Sequence, residues 1–328
     1  MNSEFDIIRR YFSRAPKHAL LGVGDDAALV ACSPGKDWAI STDTLVAGRH
    51  FFPDVAPDKL AYKALAVNLS DMAAMGAAPR WVTLSLTLTE ALAQNDDWLK
   101  GFASGFFALA DLYQVELIGG DTTGGPLNIG VQIIGEIPAG KALKRSGAVS
   151  GDDIWISGEL GNAAMGLAYL QRRLVLTAEE ASPCLRALHA PLPRVRLGQR
   201  LLMLAHSAID ISDGLVADLS HILARSDVAA VIDLEKIPCS SAMKSRLSLG
   251  HTDRQLVIDC LLAGGDDYEL CMTAPESKRE AIVRLAHELD IPLSRIGKIM
   301  TGSGLTILTT TGNPVIVERK GHDHFLAR

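Results

Sequence analysis

The sequence predicts an α/β protein with α+β-like halves, built from two domains. The chain has 328 residues, of which 48% are hydrophobic and 21% are charged, and this length suits two domains of ordinary size. Strand-like and helix-like segments alternate on both sides of a stretch rich in Gly, Ala and basic residues at 138–152. We therefore predict an N-terminal domain over residues 1–148 and a C-terminal domain over residues 149–328.

The N-terminal half begins with a predicted amphipathic helix, because Ser3 and Asp6 have the spacing of a helix-capping pair. A second helix is predicted from Pro57, a residue favoured in the first helical turn, to Gly76, which favours a helix end. The segment 81–90 alternates apolar with polar residues and predicts a half-buried strand. A helix over 95–113 and strands over 115–118 and 128–137 follow.

The C-terminal half continues the alternation, with a strand predicted over 153–158 and a helix over 161–173. Further strands are predicted over 229–234, 268–274 and 305–310, with helices between them. Asp152 and Asp153 precede the first of these strands, and we interpret them as part of a solvated turn.

Charge and hydropathy exclude several classes of function. The formal net charge of −6 argues against nucleic-acid binding, which needs a basic face. No apolar stretch is long enough to span a bilayer. The acidic residues near the start argue against a signal peptide, which begins with a positively charged region. The five scattered cysteines contain no Cys-x-x-Cys pair. We therefore expect a cytoplasmic protein with reduced thiols and without a membrane or nucleic-acid partner.

Carboxylates occur at six places in apolar or glycine-rich surroundings, where an ionised group is costly unless it is compensated. The aspartates at these places are Asp25, Asp26, Asp43, Asp71, Asp121, Asp210, Asp213, Asp266 and Asp267. Mg²⁺ prefers oxygen ligands and usually shares one or two carboxylates with substrate phosphates. Several Mg²⁺ ions would also relieve the repulsion between clustered carboxylates. The pattern therefore favours a magnesium and phosphate site.

Each aspartate also has a purely structural explanation. Asp213 precedes a predicted helix and is a good helix cap. Asp71 lies within the second predicted helix, where Lys63 or Arg80 could be its ion-pair partner. The signatures of P-loop nucleotide-binding proteins, dinucleotide-binding folds and protein kinases are absent from the sequence. A phosphotransferase with this sequence would therefore belong to another lineage.

Eight sequence blocks resemble those of the thiamine-monophosphate kinase family. In chain order they are GVGDDAAL, STDTLVAGRHF, YKALAVNLSDMAAMGAAP, LIGGDTT, RSGA, AIDISDGL, GGDDYEL and KGHDHF. The resemblance implies a fold similar to that of aminoimidazole ribonucleotide synthetase, with N-terminal strands that form a barrel across a homodimer. It also implies transfer of the γ-phosphoryl group of ATP to thiamine monophosphate, assisted by several Mg²⁺ ions, to give thiamine diphosphate.

The resemblance further implies the residues of the site. Metal ligands are implied at Asp26, Ser41, Thr42, Asp43, Asp71, Asp121, Asp210 and Asp213. Nucleotide contacts are implied at Gly120, Asp121, Arg145 and Ser212. Substrate contacts are implied at His50, at Asp266 and at Arg319, which immediately precedes the last block. Asp266 stands where the family usually has Glu, and Arg319 stands where an aromatic residue is common.

The expected chemistry is direct in-line transfer. The acceptor is already a phosphate, so we expect neither a covalent nucleophile nor a general base from the protein. Two alternatives stay open. One is a related ATP-using synthetase of the same superfamily, and the other is a non-enzymatic sensor of metal and nucleotide. ATP turnover that depends on an acceptor would exclude the sensor.

Overall fold

The computed structural model describes residues 2–248, 252–315, 317 and 321. The chain forms two compact units. The first unit contains Met1–Met72 and Ala77–Lys141, and the second contains Ala73–Gly76 and Ala142–Arg328. Each unit has its own sheet and its own helices.

The first unit contains a four-stranded sheet in the order β1-β4-β2-β3. Its strands are β1 (Lys36–Val46), β2 (Ala78–Leu88), β3 (Glu116–Gly124) and β4 (Asn128–Pro138). Its helices are α1 (Glu4–Ile7), α2 (Pro57–Met75, which ends in the second unit), α3 (Glu90–Ala93) and α4 (Asp96–Leu112). The pairs β1–β4 and β2–β4 are antiparallel, whereas β2–β3 is parallel.

Local sequence explains these elements. The Ser3 and Asp6 side chains form the predicted capping box at the start of α1, which continues into a π-helical turn over Ile8–Phe12. In β2, Leu84 and Leu86 are buried and Ser85 is exposed, so the predicted alternation is confirmed. The structure extends the strand predicted over 115–118 through the Gly-Gly-Asp block as far as Gly124.

The predicted barrel is not closed within this chain. The sheet of the first unit is open, with β1 and β3 at its edges. A barrel completed by a second copy therefore stays a proposal.

The second unit contains a six-stranded sheet in the order β10-β7-β9-β5-β8-β6. The strands are β5 (Asp153–Ser157), β6 (Ser207–Asp210), β7 (Ala229–Asp233), β8 (Leu270–Ala274), β9 (Leu293–Met300) and β10 (Gly304–Leu308). The helices are α5 (Asn162–Leu170), α6 (Ala178–His189), α7 (Val195–Leu201), α8 (Leu215–Ser226), α9 (Ser241–Arg246), α10 (Arg254–Ala263) and α11 (Arg279–Leu289). Neighbouring strands are antiparallel except for the parallel pair β7–β10.

The core of the second unit lies between this sheet and its helices. Ile154 and Ile156 of β5 pack in one cluster with Leu219 and Ile222 of α8 and with Ile232 of β7. These residues are fully buried, and burying each such side chain contributes about 1.5–3 kcal/mol to folding. The predicted two-domain α/β architecture is therefore confirmed.

The interpretation of Asp152 and Asp153 as a solvated turn is wrong. Asp152 is 3% exposed and Asp153 is 0% exposed. The Asp152 carboxylate lies 2.9 Å from Nδ1 of His206. The Asp153 carboxylate accepts hydrogen bonds from Nε and Nη2 of Arg279, and Arg295 lies 3.6 Å away. The contact with His206 and the ion pair with Arg279 offset the cost of burying the two carboxylates.

Two further observations concern the whole described chain. Within residues 2–248, 252–315, 317 and 321, no helix is both long and apolar enough to cross a membrane. All five cysteines are free, and four of them are buried while Cys32 is exposed.

Candidate functional site

In the first unit, β1 and α2 bring a hydroxyl and a carboxylate together. The Ser41 hydroxyl donates a hydrogen bond to Oδ2 of Asp71. Ser41 and Asp43 are half-buried and lie on the same face of β1, since side chains alternate along a strand. Thr42 is exposed on the opposite face. Ser41 and Asp43 therefore lie on one face of β1, and Ser41 contacts Asp71 of α2. The assignment of these three residues and of Thr42 as metal ligands stays a prediction.

The sequence suggested Lys63 or Arg80 as an ion-pair partner of Asp71. Nε of Arg80 donates a hydrogen bond to Glu136 over 3.1 Å. The Ser41 hydroxyl is one partner of the Asp71 carboxylate, and an ion pair between Asp71 and Lys63 stays a prediction. A carboxylate oxygen has more than one lone pair, so accepting from a hydroxyl does not prevent it from binding a cation.

His50 follows β1 in a tight turn that fixes its ring. The backbone N–H of Val46 donates to Nδ1 of His50 over 3.0 Å, and the N–H of His50 donates to the Val46 carbonyl over 3.0 Å. Because Nδ1 is the acceptor, the neutral ring carries its proton on Nε2. His50 can therefore donate a hydrogen bond to an anion through Nε2.

Two other predicted ligands of the first unit lie on its surface. Asp26 is exposed in a loop closed by hydrogen bonds between Leu21 and Leu29, and its N–H donates to Oδ1 of Asp25. Asp121 is exposed on β3, next to Gly120. A Cβ atom at Gly120 would lie 1.9 Å from the Leu84 carbonyl oxygen. Glycine at 120 is thus required by the approach of β2 to β3.

In the second unit, the loop after β6 and the loop before β8 are joined through their backbones. The N–H of Asp266 donates to the Ser212 carbonyl over 2.9 Å, and that of Tyr268 donates to the Ile211 carbonyl over 2.8 Å. The blocks AIDISDGL and GGDDYEL are therefore neighbours in the fold. A Cβ atom at Gly265 would lie 2.3 Å from the Ser212 carbonyl oxygen. The second glycine of the block is thus needed for contact between the two loops.

One carboxylate fixes the loop after β6. Oδ2 of Asp218, in α8, accepts hydrogen bonds from the backbone N–H groups of Ser212, Asp213 and Gly214 over 3.0–3.1 Å. Asp218 is 3% exposed. Asp213 itself does not cap α8, because the N-cap residue is Gly214 and this helix start has no side-chain cap. The backbone at Ser212 and Asp213 is thus fixed by the Asp218 side chain, which the sequence analysis did not identify.

Negative charge accumulates around this loop. The pKa of the Asp218 carboxyl is raised to about 7, first by burial and then by the charges of Asp210 and Asp213, against the lowering effect of the backbone hydrogen bonds. Three carboxylates therefore lie within electrostatic range of one another. A bound cation would offset this repulsion.

Magnesium is the cation that these donors fit. The described ranges contain no group of three or more His, Cys, Asp or Glu residues that could hold a metal ion by themselves. Mg²⁺ does not need such a group, because it usually takes one or two carboxylates and completes its shell with water and substrate phosphates. Carboxylate and hydroxyl oxygens at Asp71, Ser41, Asp210 and Asp213 are ligands of this hard type.

Arg145 is exposed in a loop of the second unit. Oγ of Ser226, at the end of α8, accepts from the N–H groups of Gly147 and Ala148 and donates to the Arg145 carbonyl, each over 3.2 Å. The backbone beside Arg145 is therefore fixed, whereas its guanidinium remains exposed and can contact an anionic ligand.

Comparisons with known proteins show the family of the chain. The family described as "AIR synthase related protein, N-terminal domain" matches residues 24–137, and "AIR synthase related protein, C-terminal domain" matches residues 149–309. A Salmonella typhimurium protein named thiamine-monophosphate kinase is 47% identical over 326 residues, which cover 98% of each chain. The chain belongs to the thiamine-monophosphate kinase family.

Solved structures of the thiamine-monophosphate kinase family share the fold. The crystal structure of the enzyme from Stenotrophomonas maltophilia K279a is 46% identical, with a TM-score of 0.81 over 94% of this chain and 95% of that chain. The structure described as "AaThiL complexed with AMPPCP and TMP" is 30% identical, with a TM-score of 0.77 over 90% of this chain and 89% of that one. Arg319, just before the last block, and His322, within it, lie outside the described residues.

For this thiamine-monophosphate kinase family member, we predict that Asp218→Ala lowers the free energy of unfolding by about 2 kcal/mol or more. The substitution leaves three backbone N–H groups without their acceptor, and one buried unsatisfied group costs about 1–3 kcal/mol. Asp218→Asn keeps an acceptor oxygen and should lose less. Urea unfolding of both variants measures the difference.

The matched control is Glu280→Ala, which removes a carboxylate whose side chain is 92% exposed. This control should unfold within about 0.5 kcal/mol of the wild type, as is usual for surface substitutions. Equal stability of Asp218→Ala and Glu280→Ala would show that Asp218 does not hold the loop.

Proposed function

We propose that this chain transfers the γ-phosphoryl group of ATP to thiamine monophosphate and so forms thiamine diphosphate. The observation that carries the proposal is similarity along nearly the whole chain to proteins named thiamine-monophosphate kinase. A structural relative bound to AMPPCP and TMP supports the same pair of ligands here. We place the activity in the cytoplasm, and the five free cysteines support this location.

We propose Mg²⁺ ligands in each unit. In the first unit they are Asp26, Ser41, Thr42, Asp43, Asp71 and Asp121, and in the second they are Asp210 and Asp213. Bound Mg²⁺ would neutralise the charge of the phosphates and orient them. The hydrogen bond from Ser41 orients the Asp71 carboxylate, and the amide bonds to Asp218 fix the backbone of Asp213.

The remaining residues bind and orient the two substrates. Gly120, Asp121, Arg145 and Ser212 are proposed to contact the nucleotide, with the Arg145 guanidinium on a phosphate. His50 is proposed to donate from Nε2 to the substrate phosphate, because its Nδ1 is occupied by the Val46 N–H. The acceptor phosphate oxygen is nucleophilic as a dianion, so positioning and charge neutralisation are sufficient and no general base is assigned. Asp266 and Arg319 are proposed to contact the substrate.

The direct test is detection by mass spectrometry of thiamine diphosphate formed from ATP, Mg²⁺ and thiamine monophosphate. We predict turnover of thiamine monophosphate and little turnover of unphosphorylated thiamine, because the attacking atom is a phosphate oxygen. Comparable turnover of both would contradict the mechanism. ATP hydrolysis or binding that is independent of the acceptor would favour the sensor alternative, and labelled phosphate retained on the protein would argue against direct transfer.

We predict that Asp71→Asn lowers turnover by roughly a hundredfold or more, because a neutral amide is a much poorer ligand for a hard cation. Asn keeps the size of the side chain and an oxygen that accepts from Ser41, so the melting temperature should stay close to that of the wild type. Activity and melting are measured on the same preparation.

Asp97→Asn is the control, since the Asp97 side chain is 98% exposed on α4. It should leave activity and melting unchanged. If Asp71→Asn keeps near-normal turnover, Asp71 is not a metal ligand. If the main effect is on melting, its role is structural.

We also propose that the active form is a homodimer built through the first unit. Two large apolar side chains on the edge strand β1, Trp38 and Ile40, are 43% and 57% exposed. An apolar edge strand with an unpaired side favours pairing with another chain. A second copy that covers this strand would complete the barrel implied by the resemblance.

We predict that Ile40→Lys shifts the species in sedimentation velocity from a dimer toward the monomer mass of 35.0 kDa, since a charged side chain cannot be buried cheaply at an interface. The control is Leu112→Lys, which changes a side chain that is 72% exposed at the end of α4. A wild-type chain that sediments as a monomer at micromolar concentration would rule out this dimer.

A further inference from the structure

A tyrosine in the second unit holds the carboxylate that we assign to the substrate. The hydroxyl of Tyr268 donates a hydrogen bond to Oδ1 of Asp266 over 3.1 Å. Both residues are half-buried. A phenol that donates to a carboxylate restricts the orientation of the carboxylate.

The backbone that carries this pair is in an unusual conformation. Asp266 and Tyr268 have φ angles of 71° and 51°, in the left-handed region that residues other than glycine rarely adopt. Such residues cost about 1–3 kcal/mol each and persist only where the surroundings hold them. A strained loop of this kind is typical of a functional site, although the strain alone does not say which ligand is bound.

Several contacts hold the loop. The hydrogen bonds from Asp266 and Tyr268 to the carbonyls of Ser212 and Ile211 fix its two ends. Between them, the Asp267 carboxylate accepts from the N–H of Gly161 over 2.7 Å at the start of α5. The side chain of Asp267 thus points into the fold, and that of Asp266 is held by Tyr268. The two adjacent aspartates of the block GGDDYEL therefore have different roles.

The chemistry of the pair limits what Asp266 can bind. An ionised carboxylate accepts hydrogen bonds and attracts cations, and it repels a phosphate. Thiamine monophosphate carries an anionic phosphate at one end, and a cationic thiazolium ring and an aminopyrimidine at the other. The complementary part of this substrate is the ring system.

We propose that Tyr268 is a positioning residue that orients the Asp266 carboxylate toward the cationic, amino-bearing ring system of the substrate and not toward its phosphate. This inference rests on the proposed function. It assigns a role to a residue outside the predicted site, and it directs the Asp266 carboxylate to the rings of the substrate.

The test uses the full-length protein and the variant Tyr268→Phe, which keeps the ring and the backbone strain and removes only the hydroxyl. We expect the KM for thiamine monophosphate to rise by roughly three- to tenfold, the effect of one lost hydrogen bond. The KM for ATP and kcat should stay within about twofold. Unphosphorylated thiamine, used as a competitive inhibitor, should lose affinity by the same factor, because it carries the rings without the phosphate.

A double-mutant cycle separates positioning from an independent effect. In the Asp266→Ala background, Tyr268→Phe should have no further effect on the KM for thiamine monophosphate, since the group that it orients is gone. The control is Tyr11→Phe, which removes a similar bond, from the Tyr11 hydroxyl to Asp96 over 2.8 Å in the first unit. It should leave every KM unchanged.

The outcomes that overturn the inference are distinct from failure of the proposed function. An unchanged KM in Tyr268→Phe, or an equal rise in the presence and absence of Asp266, overturns the positioning role. A raised KM with unchanged inhibition by thiamine overturns the assignment to the rings. A wild-type chain that does not turn over thiamine monophosphate overturns the proposed function and this inference together.

Discussion

The chemistry of the second unit depends on backbone pairing between the loop after β6 and the loop before β8. The N–H of Ile211 donates to the Glu269 carbonyl, in addition to the bonds from Asp266 and Tyr268. These bonds place the two sequence blocks side by side although residues 216–263 separate them in the sequence. Gly265 is needed because Ser212 of the first loop leaves no space for a side chain, and Gly264 is needed because it packs against the Cys260 carbonyl of α10. Their immediate role is packing of the chain against itself.

Electrostatic repulsion between the carboxylates of Asp210, Asp213 and Asp218 destabilises the loop after β6. Asp210 and Asp218 are 5% and 3% exposed and lie in range of Asp213. Backbone amides offset part of the cost at Asp218, since hydrogen bonds to the charged form stabilise it. A cation at Asp210 and Asp213 would offset the remainder. In the first unit, the Ser41 hydroxyl donates a hydrogen bond to the Asp71 carboxylate.

The elements that sequence patterns predicted best are those whose pattern is local. The alternation in β2 and the capping pair of α1 depend on neighbouring residues, and both are confirmed. The interpretation of Asp152 and Asp153 failed because their partners, His206 and Arg279, are far away in the sequence.

The same reason explains the parts of the site that were missed. Asp218 lies in an ordinary amphipathic helix, and nothing in its neighbours shows that it accepts from three amides of the preceding turn. Ser226 is at the end of the same helix, and its contact with the loop of Arg145 depends on tertiary packing. Sequence motifs predicted which residue types take part in the candidate site. The residues that hold those motifs in place could be found only from the fold.

The shared backbone of the two loops also has a thermodynamic consequence. One loop carries the proposed metal ligand Asp213, and the other carries Asp266. Because hydrogen bonds join them, a ligand that shifts one loop changes the free energy of ligand binding at the other. Such coupling is reciprocal: if the metal alters the affinity for the substrate by some factor, the substrate alters the affinity for the metal by the same factor. If Mg²⁺ binds at Asp213 and the substrate binds at Asp266, as proposed, the two binding equilibria are not independent.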